Sequence, residues 1–168
     1  MRLHLTADHY ERVLRYLAAP TERIAFIYTR PAADGPDQHG VEVELLHDDE
    51  YTASDRHGVE LADHVRPQLI RTAHEHDYGI VEAHAHLWRG PRTQFSDIDL
   101  DGLRELGPHM TWRLPGRPYI ALVLGPDSFD ALSWQTCSPA SGIDALVAGE
   151  QVMYPTGRSG ARLEAERS

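Results

Sequence analysis

His84 and His86 stand two residues apart in the run Gly79-Ile80-Val81-Glu82-Ala83-His84-Ala85-His86-Leu87. Successive side chains of a strand point to opposite faces, so both imidazoles project from one face and can converge on one ion. Glu82 shares that face. Ten residues after His86 comes Ser96-Asp97-Ile98-Asp99. It brings a carboxylate, Asp99, as a third ligand and leaves a fourth position for water, the arrangement of a catalytic rather than a structural zinc. Ser-x-x-Asp is also a helix N-terminus, with Ser96 capping and Asp99 in the first turn where acidic residues are favoured. The two readings are compatible, because a first-turn carboxylate is rigidly placed and can face a metal while the serine caps. Most of the eleven histidines are expected on the surface. His74 and His76, which flank Glu75 at the end of a predicted helix, are read that way, their positive charge complementing the helix dipole.

The elements that position these residues follow from periodicity. Residues 6–18 are expected to be helical: Thr6 can cap them, and Ala7, Tyr10, Val13, Leu14 and Leu17 recur at helical spacing. Arg23–Thr29 and Val41–Leu46 read as strands, with the intervening PAADGPDQHG a loop by composition. A second helix is predicted from Pro67 to about Asp77, Gly79 opens the histidine strand, and residues 97–106 form a helix that Gly107-Pro108 stops. Tyr119–Leu124 and Ala131–Thr136 are further strands. The order implies a mixed α+β domain, a mixed sheet flanked by helices, rather than an alternating parallel sheet. Residues 1–154 are expected to form one domain, and 155–168 a polar tail, disordered or weakly helical.

Composition narrows the function. The chain's 168 residues suit one domain, and its 41% hydrophobic and 25% charged residues are globular values. No apolar run approaches the roughly 18 residues of a membrane span, and MRLHLTADHYERV lacks the apolar core of a secretion signal, so a cytoplasmic protein with no membrane partner is expected. A net charge of −10 opposes sequence-independent nucleic-acid binding. The single cysteine, Cys137, rules out an internal disulfide and a Cys-rich zinc site, and is read as a buried structural residue. All 16 basic residues are arginine, which excludes Schiff-base chemistry and the phosphate-loop lysine. That bias fits a GC-rich genome; a sharper reading is avoidance of lysine modification. Neither a glycine-rich nucleotide fingerprint nor a Gly-x-Ser-x-Gly elbow is present.

His84-Ala85-His86 followed by Ser96-Asp97-Ile98-Asp99 resembles the core signature of the JAMM (MPN/JAB) metalloproteases, and the order of elements is similar to theirs over roughly residues 3–137. The resemblance implies an MPN/JAB, cytidine-deaminase-like three-layer fold and one Zn²⁺ per chain held by His84, His86 and Asp99. It makes Glu22, in Pro20-Thr21-Glu22-Arg23, the general base and Ser96 the donor to the oxyanion. Glu82 is the reserve base. The activity implied is cleavage of an amide or isopeptide bond after the C-terminal tail of a ubiquitin-like or sulfur-carrier protein, with conjugation enzymes encoded alongside as further partners. The tail would bind extended, as an added strand. Two positions depart from the family. Leu87 stands where a proline usually follows the second histidine, and the stretch from His86 to Ser96 is about two residues longer than usual, both next to the expected substrate path. Trp88 in that stretch is expected to pack on the core, stacking against a substrate tail being the alternative.

Three rivals compete with this reading. One is a catalytically silent scaffold of the same fold, which the filled ligand positions oppose. A cupin would need a glutamate where Gly90 and Pro91 stand, and an amidohydrolase barrel about 250 residues. A cysteine hydrolase would need a histidine beside Cys137, and the sequence places none there.

Overall fold

The computed structural model describes residues 1–55, 58–86, 92–135 and 140–166. The expectations for Leu87, Trp88, Thr136 and Cys137 lie outside the described residues. In chain order the elements are β1 (Arg2–Leu5), α1 (Ala7–Leu17), β2 (Ala25–Pro31), β3 (Gln38–Leu45), β4 (Tyr51–Ser54), β5 (Val59–Leu61), α2 (Val65–His76), β6 (Gly79–Ala85), α3 (Asp97–Arg113), β7 (Tyr119–Leu124), β8 (Phe129–Trp134), β9 (Ala145–Ala148), β10 (Gln151–Met153) and α4 (Arg158–Ala165). Eight strands form one mixed sheet in the order β10-β9-β1-β3-β2-β6-β7-β8, and β4 pairs with β5 as a separate hairpin. The chain is therefore α+β, a mixed sheet flanked, among the described residues, by four α-helices. No helix among the described residues is long and apolar enough to cross a membrane.

The sheet's alternation sorts the core onto two faces. Val13 and Leu17 of α1 pack with Ile27, Val81, Ala83 and Leu122 on one face. Residues of α2, α3 and α4, including Leu69, Leu103, Met110 and Leu163, pack with Phe26, Ile80, Tyr119 and Ala121 on the other. Helix α1 begins where its cap requires, the Thr6 hydroxyl accepting from His9 N at 3.1 Å. Helix α2 ends at Asp77, whose φ of 59° places it in the left-handed region and turns the chain directly into β6.

Three expectations are corrected by packing. The stretch 31–40 is not all loop: Pro31 ends β2 and Gln38–Gly40 belong to β3, because β1, which the periodicity missed, pairs with β3 at Leu3↔Gln38 and His4↔His39. Helix α3 does not stop at Gly107-Pro108 but runs on to Arg113 with Pro108 inside. The proline forfeits one helical hydrogen bond. Buried Met110 and Leu114 reward continuation beyond it, and the Thr111 hydroxyl donates to Gly107 O and Pro108 O at 3.3 and 3.0 Å. The strand expected at 131–136 is displaced to Phe129–Trp134, matched in register with β7 from Tyr119↔Trp134 to Leu124↔Phe129. Of the two readings of the polar tail, residues 158–165 take the helical one, docked through buried Leu163.

Candidate metal centre

Strand β6 delivers the histidines by simple alternation. Val81, Ala83 and Ala85 lie in the core on the α1 side and Ile80 on the α2–α3 side, so Glu82, His84 and His86 face α2 and α3. Pairing of β6 with β2 (Ala83↔Ala25) and with β7 (His84↔Val123) fixes the strand on both edges. The His86 ring is held further by a contact of 3.2 Å between Nδ1 and the Gln94 carbonyl. A carbonyl can only accept, so Nδ1 carries the proton and Nε2 presents its lone pair to the site. Beside it, the His84 ring lies 4.9 Å from the His86 ring and 5.6 Å from the Phe95 ring, centroid to centroid.

Two other segments converge on the histidines. Glu22 precedes β2, and its backbone is clamped by the end of β4: Glu22 N donates to Asp55 O at 2.9 Å and Ser54 Oγ donates to Glu22 O at 2.7 Å. Asp99 sits in the first turn of α3 within a reciprocal capping box. Its Oδ2 accepts from Ser96 N at 2.7 Å and from Ser96 Oγ at 2.6 Å, while Asp99 N donates back to Ser96 Oγ at 3.2 Å. The same Oδ2 lies 3.6 Å from His84 Nε2 and 3.5 Å from His86 Nε2, and Glu22 Oε1 lies 3.8 Å from His86 Nε2. Capping and convergence on the histidines thus coexist in one carboxylate. Ligand atoms of Glu22, His84 and His86 also lie within 4.8 Å of one another.

These separations fit a metal better than they fit hydrogen bonds. A tetrahedral ion bound at about 2.0–2.1 Å keeps neighbouring ligand atoms about 3.3 Å apart. Among the described residues, the buried His84 Nε2 atom has no hydrogen-bond partner within 3.5 Å, Asp99 Oδ2 standing just beyond at 3.6 Å, an expensive state for a polar atom unless something else satisfies it. The side chains are largely enclosed, with 13% of His84, 4% of His86, 10% of Glu22 and 22% of Asp99 exposed. Burial alone would push the Asp99 carboxyl up. The neighbouring His84 and the two Ser96 donors outweigh it, holding Asp99 well below the usual carboxylate range and so in its ligating form. Burial likewise disfavours protonated His84, and Asp99, Glu22 and Glu82 more than offset it, raising the His84 value.

The cluster lies against a cavity of about 1370 Å³. One wall is the face of α3 carrying Ile98, Gly102, Leu106 and His109; Ile24 and Val59 stand among the other lining residues. Glu82, also lining the cavity, is not available as a base in this arrangement: its oxygens accept from Arg66 Nη1 and Nη2 at 2.5 and 2.9 Å, and Tyr119 donates to Oε2 at 2.9 Å. His74 and His76 are at the surface, His74 Nε2 lying 3.1 Å from Arg113 O and His76 stacking on Tyr78. Sequence reasoning missed Arg66, Tyr119 and the Gln94 carbonyl. Nothing in spacing marks the first two, which meet Glu82 only across the fold, and a backbone carbonyl leaves no mark in a sequence.

No family model matches the chain, and no curated protein does. Among solved structures the chain is similar to protein DSY2949 from Desulfitobacterium hafniense, with a TM-score of 0.52 and 14% identity over 89% of this chain and 94% of that one. At that identity the likeness is one of fold.

Proposed function

We propose that the chain is a JAMM-type zinc metalloprotease that hydrolyses the amide or isopeptide bond after the C-terminal tail of a ubiquitin-like or sulfur-carrier protein. One observation carries the reading: Asp99 Oδ2, from a helix cap, lies 3.6 and 3.5 Å from the Nε2 atoms of His84 and His86 on the neighbouring strand, beside a large cavity. Helices on both faces of a mixed sheet agree with an MPN/JAB fold. His84, His86 and Asp99 would hold the zinc, which supplies Lewis acidity and a water acidic enough to react near neutral pH.

The remaining work falls to the chain's own groups. Glu22, within 3.8 Å of His86 Nε2 and mostly enclosed, takes the proton of the attacking water and passes it to the leaving amine. Ser96, whose hydroxyl donates to Asp99 Oδ2 at 2.6 Å here, turns that proton to the oxyanion of the tetrahedral intermediate. The cavity beside them receives the extended tail, with the α3 face that carries Ile98, Leu106 and His109 along it.

Elemental analysis of purified protein tests the metal, and a ubiquitin-like fusion tests the reaction. Near one zinc per wild-type chain, lost in His86→Ala, with fusion cleavage abolished in Glu22→Ala, is the expected result. A folded wild-type protein that takes up no zinc on reconstitution would sink the proposal and favour a scaffold. Ser96→Ala separates its two roles. A cap alone costs about 1 kcal/mol of stability. An oxyanion donor costs a further ~10²–10³ in kcat.

A further inference from the structure

Residues 93–95, which lead into α3, are braced by the C-terminal part of the chain. Asp130, fully buried on β8, accepts from the backbone N–H groups of Gly157 and Ser159 at 3.1 and 2.8 Å, and so caps α4, which has no side-chain cap of its own. From this anchored turn three side chains reach residues 93–95. Thr156 Oγ1 donates to Thr93 O at 2.6 Å, Arg158 Nε donates to Gln94 Oε1 at 2.8 Å, and the fully buried Ser159 Oγ accepts from Phe95 N at 3.0 Å. Two of those residues, Gln94 and Phe95, touch the histidines from behind. The Gln94 carbonyl meets His86 Nδ1, the Phe95 ring packs on His84, and Ser96 follows directly as the cap that holds Asp99.

We infer that Thr156 and Ser159 are positioning residues of the metal centre, acting through the backbone of residues 93–95 on the orientation of His86 and Asp99. The inference rests on the zinc reading above. Neither residue touches the ligand atoms; what they restrain is the carbonyl that selects the His86 tautomer and the start of the helix that carries Asp99. Groups in this relation to a metal typically change its affinity by about 10–100-fold when removed.

The test uses the full chain and two readouts that need no substrate: zinc affinity by competition with a chromophoric chelator, and the visible spectrum of the Co²⁺-loaded protein. Ser159→Ala and Thr156→Val each remove one hydroxyl, Thr156→Ser restores one, and Val13→Ala perturbs the core on the opposite face of the sheet. Ser159→Ala and Thr156→Val are expected to weaken zinc on the order of 10-fold or more and to alter the Co²⁺ bands. Thr156→Ser should recover both, and Val13→Ala should leave both unchanged at a comparable loss of thermal stability. Wild-type affinity and spectrum in both hydroxyl-less variants would overturn the inference while leaving the zinc site standing. A wild-type chain that binds no zinc would remove both together. If Ser159→Ala does not fold, the Thr156 pair decides alone.

Discussion

Two carboxylates beside the same pair of histidines are given different work by what surrounds them. Asp99 accepts from its own helix cap and turns the same oxygen towards both Nε2 atoms. Glu82, on the same strand face as the histidines, is enclosed by Arg66 and Tyr119. Burial pushes the Glu82 carboxyl up, but the Arg66 charge, its paired hydrogen bonds and the Tyr119 hydroxyl prevail and hold it below its ordinary value. A carboxyl depressed in the folded state contributes stability above its unfolded value, about 4.3, and loses that contribution as pH falls through the folded one. Glu82→Gln leaves the Arg66 guanidinium unpaired and is expected to cost roughly 3 kcal/mol at pH 7. Urea titrations at pH 7 and at pH 3 check this: the gap between wild type and variant should narrow on acidification, and a gap independent of pH would refute the assignment.

At the scale of elements, α3 shows why one residue type had to be read two ways. A Cβ at Gly107 would lie 2.3 Å from the Trp134 ring, so the glycine is there for close packing and not to end the helix. A Cβ at Gly102 would meet nothing within 4 Å and would point into the cavity's surroundings. Gly107→Ala should therefore destabilise by about 1–3 kcal/mol through overpacking, despite alanine's better helix propensity. Gly102→Ala should stabilise by up to about 1 kcal/mol. Opposite shifts in denaturation midpoint are the expected outcome; shifts of the same sign would mean that propensity, and not the Trp134 contact, governs both. The Gly-Pro pair was legible as a helix stop only because local preference is all that a linear reading weighs. Burial of Met110 and Leu114 beyond it is a tertiary term.

For the molecule as a whole, the sheet separates two apolar cores, and the second is completed by the last helix. Leu163 is buried with Met110, Trp134 and Phe95, residues far from it in sequence. Leu163→Ala should then cost about 2 kcal/mol, the low end for a buried leucine because a terminal helix can relax into the gap. A change within about 0.5 kcal/mol, as at an ordinary surface site, would show that α4 is not part of the folding unit. Chemical denaturation monitored at the tryptophans reads either result.

The sequence by itself determined the common face of the two histidines, the Ser96–Asp99 cap and much of the frame around them. Two histidines at strand spacing must share a face whatever the fold, and Ser96 with Asp99 must cap a helix once one begins there, since both follow from local backbone geometry. For the same reason α1, α2, β6 and β7 were legible, each carrying its own periodicity. Only the tertiary structure decided that Glu22 lies beside His86, that Glu82 belongs to Arg66 and that α3 passes through its proline. It alone also decided that a polar tail hydrogen-bonds Thr93 and Phe95, next to the histidines. Each of these depends on contacts between segments distant in the chain, whose energy comes from burial and charge pairing that no window of sequence contains.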